Sequence, residues 1–251
     1  MRTLKLTLSY DGTRLVGWQR QAAGDSVQGV LEDALARFEG GPVTVHGAGR
    51  TDAGVHALGQ VASVQVTLAH DPATLARALN AQLPEDVRVL AVEDAAPGFH
   101  ARFDARSKTY RYCIRNGPVA SPFERAFVWH VPQPLDLEAM RHAASRLLGR
   151  HDFSAFRSIG TEVPVAVRTL HASAIVETAG AGDGGRLLTY EVTGDGFLRH
   201  MVRAIVGTLV EVGRGWRDPA QMDALLQSRD RARAGATAPP HGLFLVRVVY
   251  D

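Results

Sequence analysis

The stretch Leu170-His171-Ala172-Ser173-Ala174-Ile175-Val176, with the glycine-rich residues 179–185 and then Leu188-Thr189-Tyr190-Glu191-Val192 after it, decides the fold class. Apolar side chains at every second position mark a half-buried strand, because successive strand side chains point to opposite faces. Leu170, Ala172, Ala174 and Val176 should line one face of the first strand, and Leu188, Tyr190 and Val192 one face of the second. The glycines between them suit a hairpin loop, so the two strands should pair antiparallel.

The alternation recurs outward from this hairpin. Leu4, Leu6 and Leu8 alternate with Lys5 and Thr7, and Ala62, Val64 and Val66 with Ser63, Gln65 and Thr67. Tyr110, Tyr112 and Ile114 share one face of another strand, with Cys113 pointing the other way as a small buried hydrophobe. Val27, Val30, Leu31, Ala34, Leu35 and Phe38 follow helical spacing instead, with Asp25 placed to cap the helix and Gln28 as a capping-box partner. Asp71-Pro72 opens a helix carrying Leu75 and Leu79, since proline is tolerated in the first turn. Further helices are expected over 134–148, 198–212 and 221–227, then an Ala-, Pro- and Arg-rich loop over 231–242 and a last strand over 243–250. Hairpin-length connections beside helical crossovers predict an α+β fold of two similar α/β halves with mixed, largely antiparallel sheets flanked by helices. The halves are placed at 1–105 and 106–251.

The totals narrow the function classes. At 251 residues, 45% of them hydrophobic and 22% charged, the chain can bury a full core. It has no run of about 18 apolar residues to cross a membrane, and its alternating start lacks the continuous apolar block of a signal peptide. Cys113 is the one cysteine, which excludes an intramolecular disulfide and a cysteine-rich metal site. A cytoplasmic protein is expected. A formal net charge of +2 is not that of a DNA-coating protein. Of the 28 basic residues, however, only Lys5 and Lys108 are lysines. Arginine suits phosphate and stacks on bases, although a genome rich in arginine codons would give the same composition.

Gly47-Ala48-Gly49-Arg50-Thr51-Asp52-Ala53-Gly54-Val55-His56 carries the densest chemistry. Its glycines permit unusual dihedrals and close backbone approach, with a cation, a hydroxyl and a carboxylate packed among them. No Gly-Lys-Ser/Thr follows, so it is not a phosphate-binding P-loop, and Asp52 occupies the third glycine position of a dinucleotide fingerprint. The residues alone allow either a reactive Asp52 or a tight turn that Asp52 caps. Arg203, within the apolar run 202–210, calls for a carboxylate or hydrogen-bonding partner, or else lays its stem over apolar surface with its head in water. Tyr110 suits core packing or a platform for an unstacked base. The ten histidines form no metal pair such as His-Glu-x-x-His, and there is no Gly-x-Ser-x-Gly elbow.

In combination, these segments resemble the TruA family of tRNA pseudouridine synthases over essentially the whole chain. The matching segments run in the family's order: Tyr10-Asp11-Gly12, Gly17-Trp18-Gln19-Arg20-Gln21, Val27-Gln28-Gly29-Val30-Leu31, the Gly47–Ala57 stretch, Phe99-His100-Ala101-Arg102-Phe103, Tyr110-Arg111-Tyr112, His151-Asp152-Phe153 and residues 197–203. Leu15 departs from the pattern, standing where an aromatic residue is expected before Gly17-Trp18. The resemblance implies a pseudouridine synthase fold with an active-site cleft between the halves. It implies Asp52 as the catalytic aspartate, Tyr110 as the active-site tyrosine that stacks near the target base, and Arg203 as the basic residue paired with the aspartate. Arg50 is implied to help hold the target nucleotide out of its helix. The implied substrate is uridine at positions 38, 39 and 40 in the anticodon stem-loop of tRNA. The implied assembly is a homodimer in which one tRNA touches both subunits, with neither cofactor nor metal, and with no DNA or membrane partner.

These residue types suit that chemistry. Pseudouridine formation breaks the bond from ribose C1′ to uracil N1 and rejoins the base through C5, with no net redox change. A carboxylate can attack the sugar or assist removal of a sugar proton. In a pocket dry enough to retain the freed base, its charge needs a fixed cation, and arginine stays charged when partly buried.

Overall fold

A computed structural model describes all residues except 159–164 and 180–184. It divides into two compact units, residues 1–106 with 244–251, and residues 107–243. The second half expected from sequence ran to the C-terminus; residues 244–251 lie in the first unit instead.

In the first unit, β1 (Arg2–Tyr10) lies between β3 (His56–Val66) and β4 (Val87–Ala95), antiparallel to both. Leu4, Leu6 and Leu8 are buried, as their alternation predicts. β2 (His46–Gly47) adds antiparallel to β3 at Ser63 and Ala62. β10 (Leu243–Val249) runs parallel to β3, with Phe244 opposite His56 and Leu245 opposite Ala57. This pairing is why the last strand belongs to the first unit. A parallel partner needs a long connection, and the second unit supplies it.

Two helices complete the unit. α1 (Val27–Glu39) buries Leu31, Ala34 and Leu35. Its cap is Ser26, which accepts from the Gly29 N–H, not Asp25. Gln28 closes no capping box: it donates to the Val45 carbonyl at 3.0 Å and accepts from Gln19 at 2.6 Å. α2 (Pro72–Gln82) begins as expected, with Asp71 accepting from the Thr74 N–H and proline in its first turn. β4 was not expected from sequence; its buried residues, Val87, Val89 and Val92, break strict alternation. Arg2 and Lys5 of β1 pair across the strand boundary with Asp94 and Glu93.

In the second unit, β5 (Ser107–Asn116), β9 (Arg186–Gly194), β8 (Val167–Ala179) and β7 (Gly149–Asp152) form an antiparallel series in that order, and β6 (Trp129–Val131) pairs parallel to β5. The expected hairpin is formed from β8 and β9, which stay paired to Ala179 opposite Arg186; most of its glycine-rich connection lies outside the described residues. The buried face of β8 differs from the expected one. A register shift between Leu170 and Ala172 leaves Leu170, Ser173 and Ile175 buried, with Ala172, Ala174 and Val176 exposed. An extra residue in a strand turns every later side chain to the opposite face.

α3 (Leu137–Ser145) is shorter than its amphipathic pattern, because Asp136 caps it by accepting from the Ala139 N–H. α4 (Met201–Gly213) starts three residues later than its apolar run, since His200 takes a left-handed conformation with φ 62°. It is buried at all but Arg203 and Glu211, as befits a helix that is apolar all round. α5 (Gln221–Ser228) follows the sequence pattern closely. No helix among the described residues is long and apolar enough to cross a membrane.

Candidate active site

The loop between β2 and β3 carries Arg50, Thr51 and Asp52, and its shape is fixed from several sides within the first unit. Asp52 begins a tight turn, with the Val55 N–H donating to its backbone carbonyl at 3.1 Å and Gly54 taking φ 75°. Thr51 is buried, and its hydroxyl lies 2.8 Å from the Tyr10 hydroxyl at the end of β1. Gln60 of β3 is fully buried and donates to the Gly49 carbonyl at 2.9 Å. The Trp18 N–H donates to the Thr51 carbonyl at 3.0 Å. The backbone around Asp52 is thus held by neighbours that leave Arg50 exposed and Asp52 half-buried.

Two glycines outside the loop make this fit possible. A Cβ on Gly12 would lie 2.1 Å from the Val55 carbonyl oxygen. One on Gly17, whose φ is 103°, would lie 2.6 Å from the Thr51 carbonyl oxygen. Both segments press their backbone directly against the loop, which only glycine allows. Gly47 likewise gives room to the Trp18 ring, 2.3 Å from where its Cβ would stand. The Tyr10-Asp11-Gly12 and Gly17-Trp18 segments therefore form the seat of the Asp52 loop. In the sequence these segments stand only as matches to the family pattern, and the sign of their role is two glycines five apart, just after a strand.

Where the loop enters β3, His56 is buried and stacks on Phe244, with ring centroids 4.7 Å apart. Its Nδ1 lies 3.0 Å from the Gly12 N–H and 3.1 Å from the Asp11 carboxylate. One nitrogen cannot accept from Gly12 and donate to Asp11 at once, so the proton position selects one of the two bonds. Burial pushes the Asp11 carboxyl up, but the Thr13 hydroxyl and N–H, together with His56, more than offset this and hold it below the ordinary carboxylate value.

Arg203 and Tyr110 belong to the second unit. Tyr110 on β5 is buried, and its ring meets Phe197 edge to face at 5.0 Å. Phe197 lies in the segment that leads into α4, so the two expected site elements of this unit are joined by an aromatic contact. Arg203 is half-buried, and its Nε donates to the Ala238 carbonyl at 2.8 Å, while the Ala238 N–H returns a bond to the Arg203 carbonyl at 3.0 Å. The hydrogen-bonding partner that its apolar setting demanded is thus a backbone strap. Tyr112 is the neighbour whose hydroxyl feels the Arg203 charge; burial pushes its pKa up, and Arg203 opposes that.

The strap, residues 235–239, follows one stripe of α4. Ala238 meets Arg203, and the Ala236 carbonyl oxygen would stand 1.7 Å from a Cβ on Gly207. Ala236 also donates its N–H to Glu211, which is paired with Arg217 at 3.0 Å. Gly235 donates to the Thr208 hydroxyl at 2.9 Å, and the Tyr112 hydroxyl donates to the Pro239 carbonyl at 2.7 Å. Positions 203, 207 and 211 are one helix face, and the strap holds the Arg203 side chain from its stem end. From sequence this segment is expected only as part of the Ala-, Pro- and Arg-rich loop over 231–242.

A family model described as tRNA pseudouridine synthase matches residues 7–104 and 143–251. The matched segments contain Arg50, Asp52 and Arg203, while Tyr110 falls between them. A protein named tRNA pseudouridine synthase A from Pelobacter propionicus is 46% identical over 250 residues, covering all of both chains. One of the same name from Myxococcus xanthus is 48% identical, covering all of this chain and 92% of its own. Another from a Geobacillus species is 45% identical, covering all of this chain and 99% of its own. With the family model matched over most of its length and relatives of this similarity end to end, the chain belongs to the tRNA pseudouridine synthase family.

Proposed function

We propose that this chain isomerises uridine to pseudouridine at positions 38, 39 and 40 in the anticodon stem-loop of tRNA, with Asp52 as the reactive carboxylate. The observation that carries the proposal is the seating of Asp52. A carboxylate on a glycine-rich loop, clamped by Tyr10, Trp18, Gln60 and two backbone contacts that admit no side chain, is held for a purpose that a surface turn does not need. The reaction breaks C1′–N1, forms C1′–C5, releases the C5 proton and returns one to N1, so atoms and electrons balance without an added group.

The remaining residues take the roles that the family resemblance implies. A base must leave its stack before C1′ can be reached, at a cost of roughly a few kcal/mol. Arg50, exposed on the loop, takes the vacated space. Tyr110 offers its ring to the extruded base, returning about 1–3 kcal/mol. Arg203, held by the strap, supplies the cation for the Asp52 charge, which requires both to face the bound nucleotide. The active form is a homodimer, with one tRNA contacting both subunits.

The test is tritium release from tRNA carrying 5-tritiated uridine. The wild-type chain alone should release tritium, and Asp52→Asn should release none while tRNA affinity stays within about tenfold. Release by Asp52→Asn at the wild-type rate would overturn the assignment.

A further inference from the structure

Outside the Asp52 loop, the first unit carries a run of rings on its surface. His46 and His100 lie with centroids 4.9 Å apart and a 31° tilt, and His100 and Phe103 follow at 4.3 Å and 33°. The outer ring, Phe103, is 74% exposed, and the Arg102 guanidinium lies 5.7 Å from its centroid. The exposed ring thus ends a continuous series of aromatic faces and does not stand alone on the surface.

The turn that presents it is rigidly built. The Phe103 and Asp104 N–H groups both donate to the His100 carbonyl at 3.1 Å, and the Asp104 carboxylate accepts from the His100 N–H at 2.8 Å. The Arg102 N–H donates to His100 Nδ1 at 3.1 Å, which leaves the ring proton on Nε2. Ala101, fully buried, anchors the turn: its N–H donates to Ser63 and its carbonyl accepts from Tyr250. Ala101 packs in one cluster with Ala48 and Val61, and Ala48 belongs to the Asp52 loop. The ring run and the reactive loop are thus fastened to the same small core.

We infer that His46, His100 and Phe103 form a stacking platform for an unpaired base of the bound RNA, next to the nucleotide that is isomerised, with Arg102 on the adjoining phosphate. This rests on the function proposed above and extends it to a second nucleotide. Tilted rings beside an arginine suit single-stranded RNA, since every base offers a π-face and arginine pairs with phosphate. His46 and His100 also border a cavity of about 490 Å³. Glu39 stands on its wall as an anion, its carboxyl held below the ordinary value by the Thr67 hydroxyl and neighbouring N–H groups. An anionic wall repels phosphate and accepts the edge of a base, so the base, not the backbone, faces the rings.

The test uses Phe103→Ala and Phe103→Tyr, with tRNA binding and steady-state isomerisation measured on the same preparations. Phe103→Ala should raise tRNA Kd and KM roughly 5- to 100-fold, the range of one lost base stack, with kcat at saturating tRNA within about threefold. The salt dependence of Kd should not change, because no charge is removed, and Phe103→Tyr should restore affinity. A tRNA with 2-aminopurine beside the target uridines should lose part of its quenching on Phe103→Ala. Since Phe103 is exposed, the variant should melt as the wild type does. Unchanged Kd and KM in Phe103→Ala would overturn the platform while leaving the proposed function intact. A loss of affinity that tracks a change in sedimentation would overturn it as well, by making Phe103 a subunit contact. Wild-type protein that binds tRNA through Phe103 without isomerising it would sink the proposed function alone.

Discussion

The Tyr10 hydroxyl sits 2.8 Å from the Thr51 hydroxyl, both side chains buried, one residue away from Asp52. Burial pushes the Tyr10 pKa up to about 12, with the Thr51 and Gln60 contacts opposing that shift, so the phenol stays protonated throughout the working range. Tyr10→Phe should cost about 1–3 kcal/mol, because it strands the Thr51 hydroxyl in the core. The expected outcome is a Tm lower by several degrees and a reduced kcat with KM nearly unchanged, measured by calorimetry and tritium release. The shape of the pH–rate profile should stay the same.

The seat of the loop predicts a steep penalty for a single methyl group. In Gly12→Ala, the new Cβ would fall 2.1 Å from the Val55 carbonyl oxygen. Backbone must move, and the expected loss is more than about 3 kcal/mol, together with all isomerisation. Gly40→Ala is the comparison: its φ of 72° is left-handed, but nothing lies within 4 Å of the added carbon. That variant should lose only about 1–2 kcal/mol, the left-handed penalty, and keep its activity. Urea denaturation of both variants measures the difference.

Acid should loosen the same region. Asp11 is held below the ordinary carboxylate value in the folded chain. A depressed carboxyl contributes stability that is complete above the unfolded value of about 4 and fades as pH falls through the folded one. Tm should therefore drop below about pH 4, and Asp11→Asn should flatten part of that drop while lowering Tm at neutral pH. Melting curves across pH 2–7 would show whether the acid limb is shared by both proteins, which would remove Asp11 from the account.

In the second unit, Gly207→Ala should lift the strap from α4. The added carbon would meet the Ala236 carbonyl oxygen at 1.7 Å. Hydrogen exchange at the Gly235 and Ala238 amides should accelerate, since both bonds run from the strap to α4. With the Ala238 carbonyl withdrawn from Arg203 Nε, kcat should fall more than tRNA affinity.

How far the sequence foretold this structure depends on how local each signal is. β1, α2, β9 and α5 follow their patterns because each has one clear buried face or an unambiguous cap. β8 did not, since its register shift just after Leu170 leaves no mark on the alternation of apolar residues. Asp25 was expected to cap α1, but the side chain that reaches the Gly29 N–H is that of its neighbour Ser26, a one-residue difference that spacing alone does not resolve. The Asp52 loop was visible through its composition and its family resemblance. Its seat was not, because Gly12 and Gly17 act through absent atoms, and Gln60 through a bond across β3 to Gly49. The strap on Arg203 was equally hidden: its contacts to α4 are made mainly by backbone groups of alanine and glycine.

The return of β10 to β3 carries a consequence for biosynthesis. During translation, residues 1–106 emerge from the ribosome long before Phe244 and Leu245 exist to pair with His56 and Ala57. Until then His56 lacks the Phe244 ring that stacks on it and the start of β3 lacks its parallel partner. The first unit therefore completes its sheet only after the whole second unit has been synthesised, which makes the closing parallel pair a late, non-local contact.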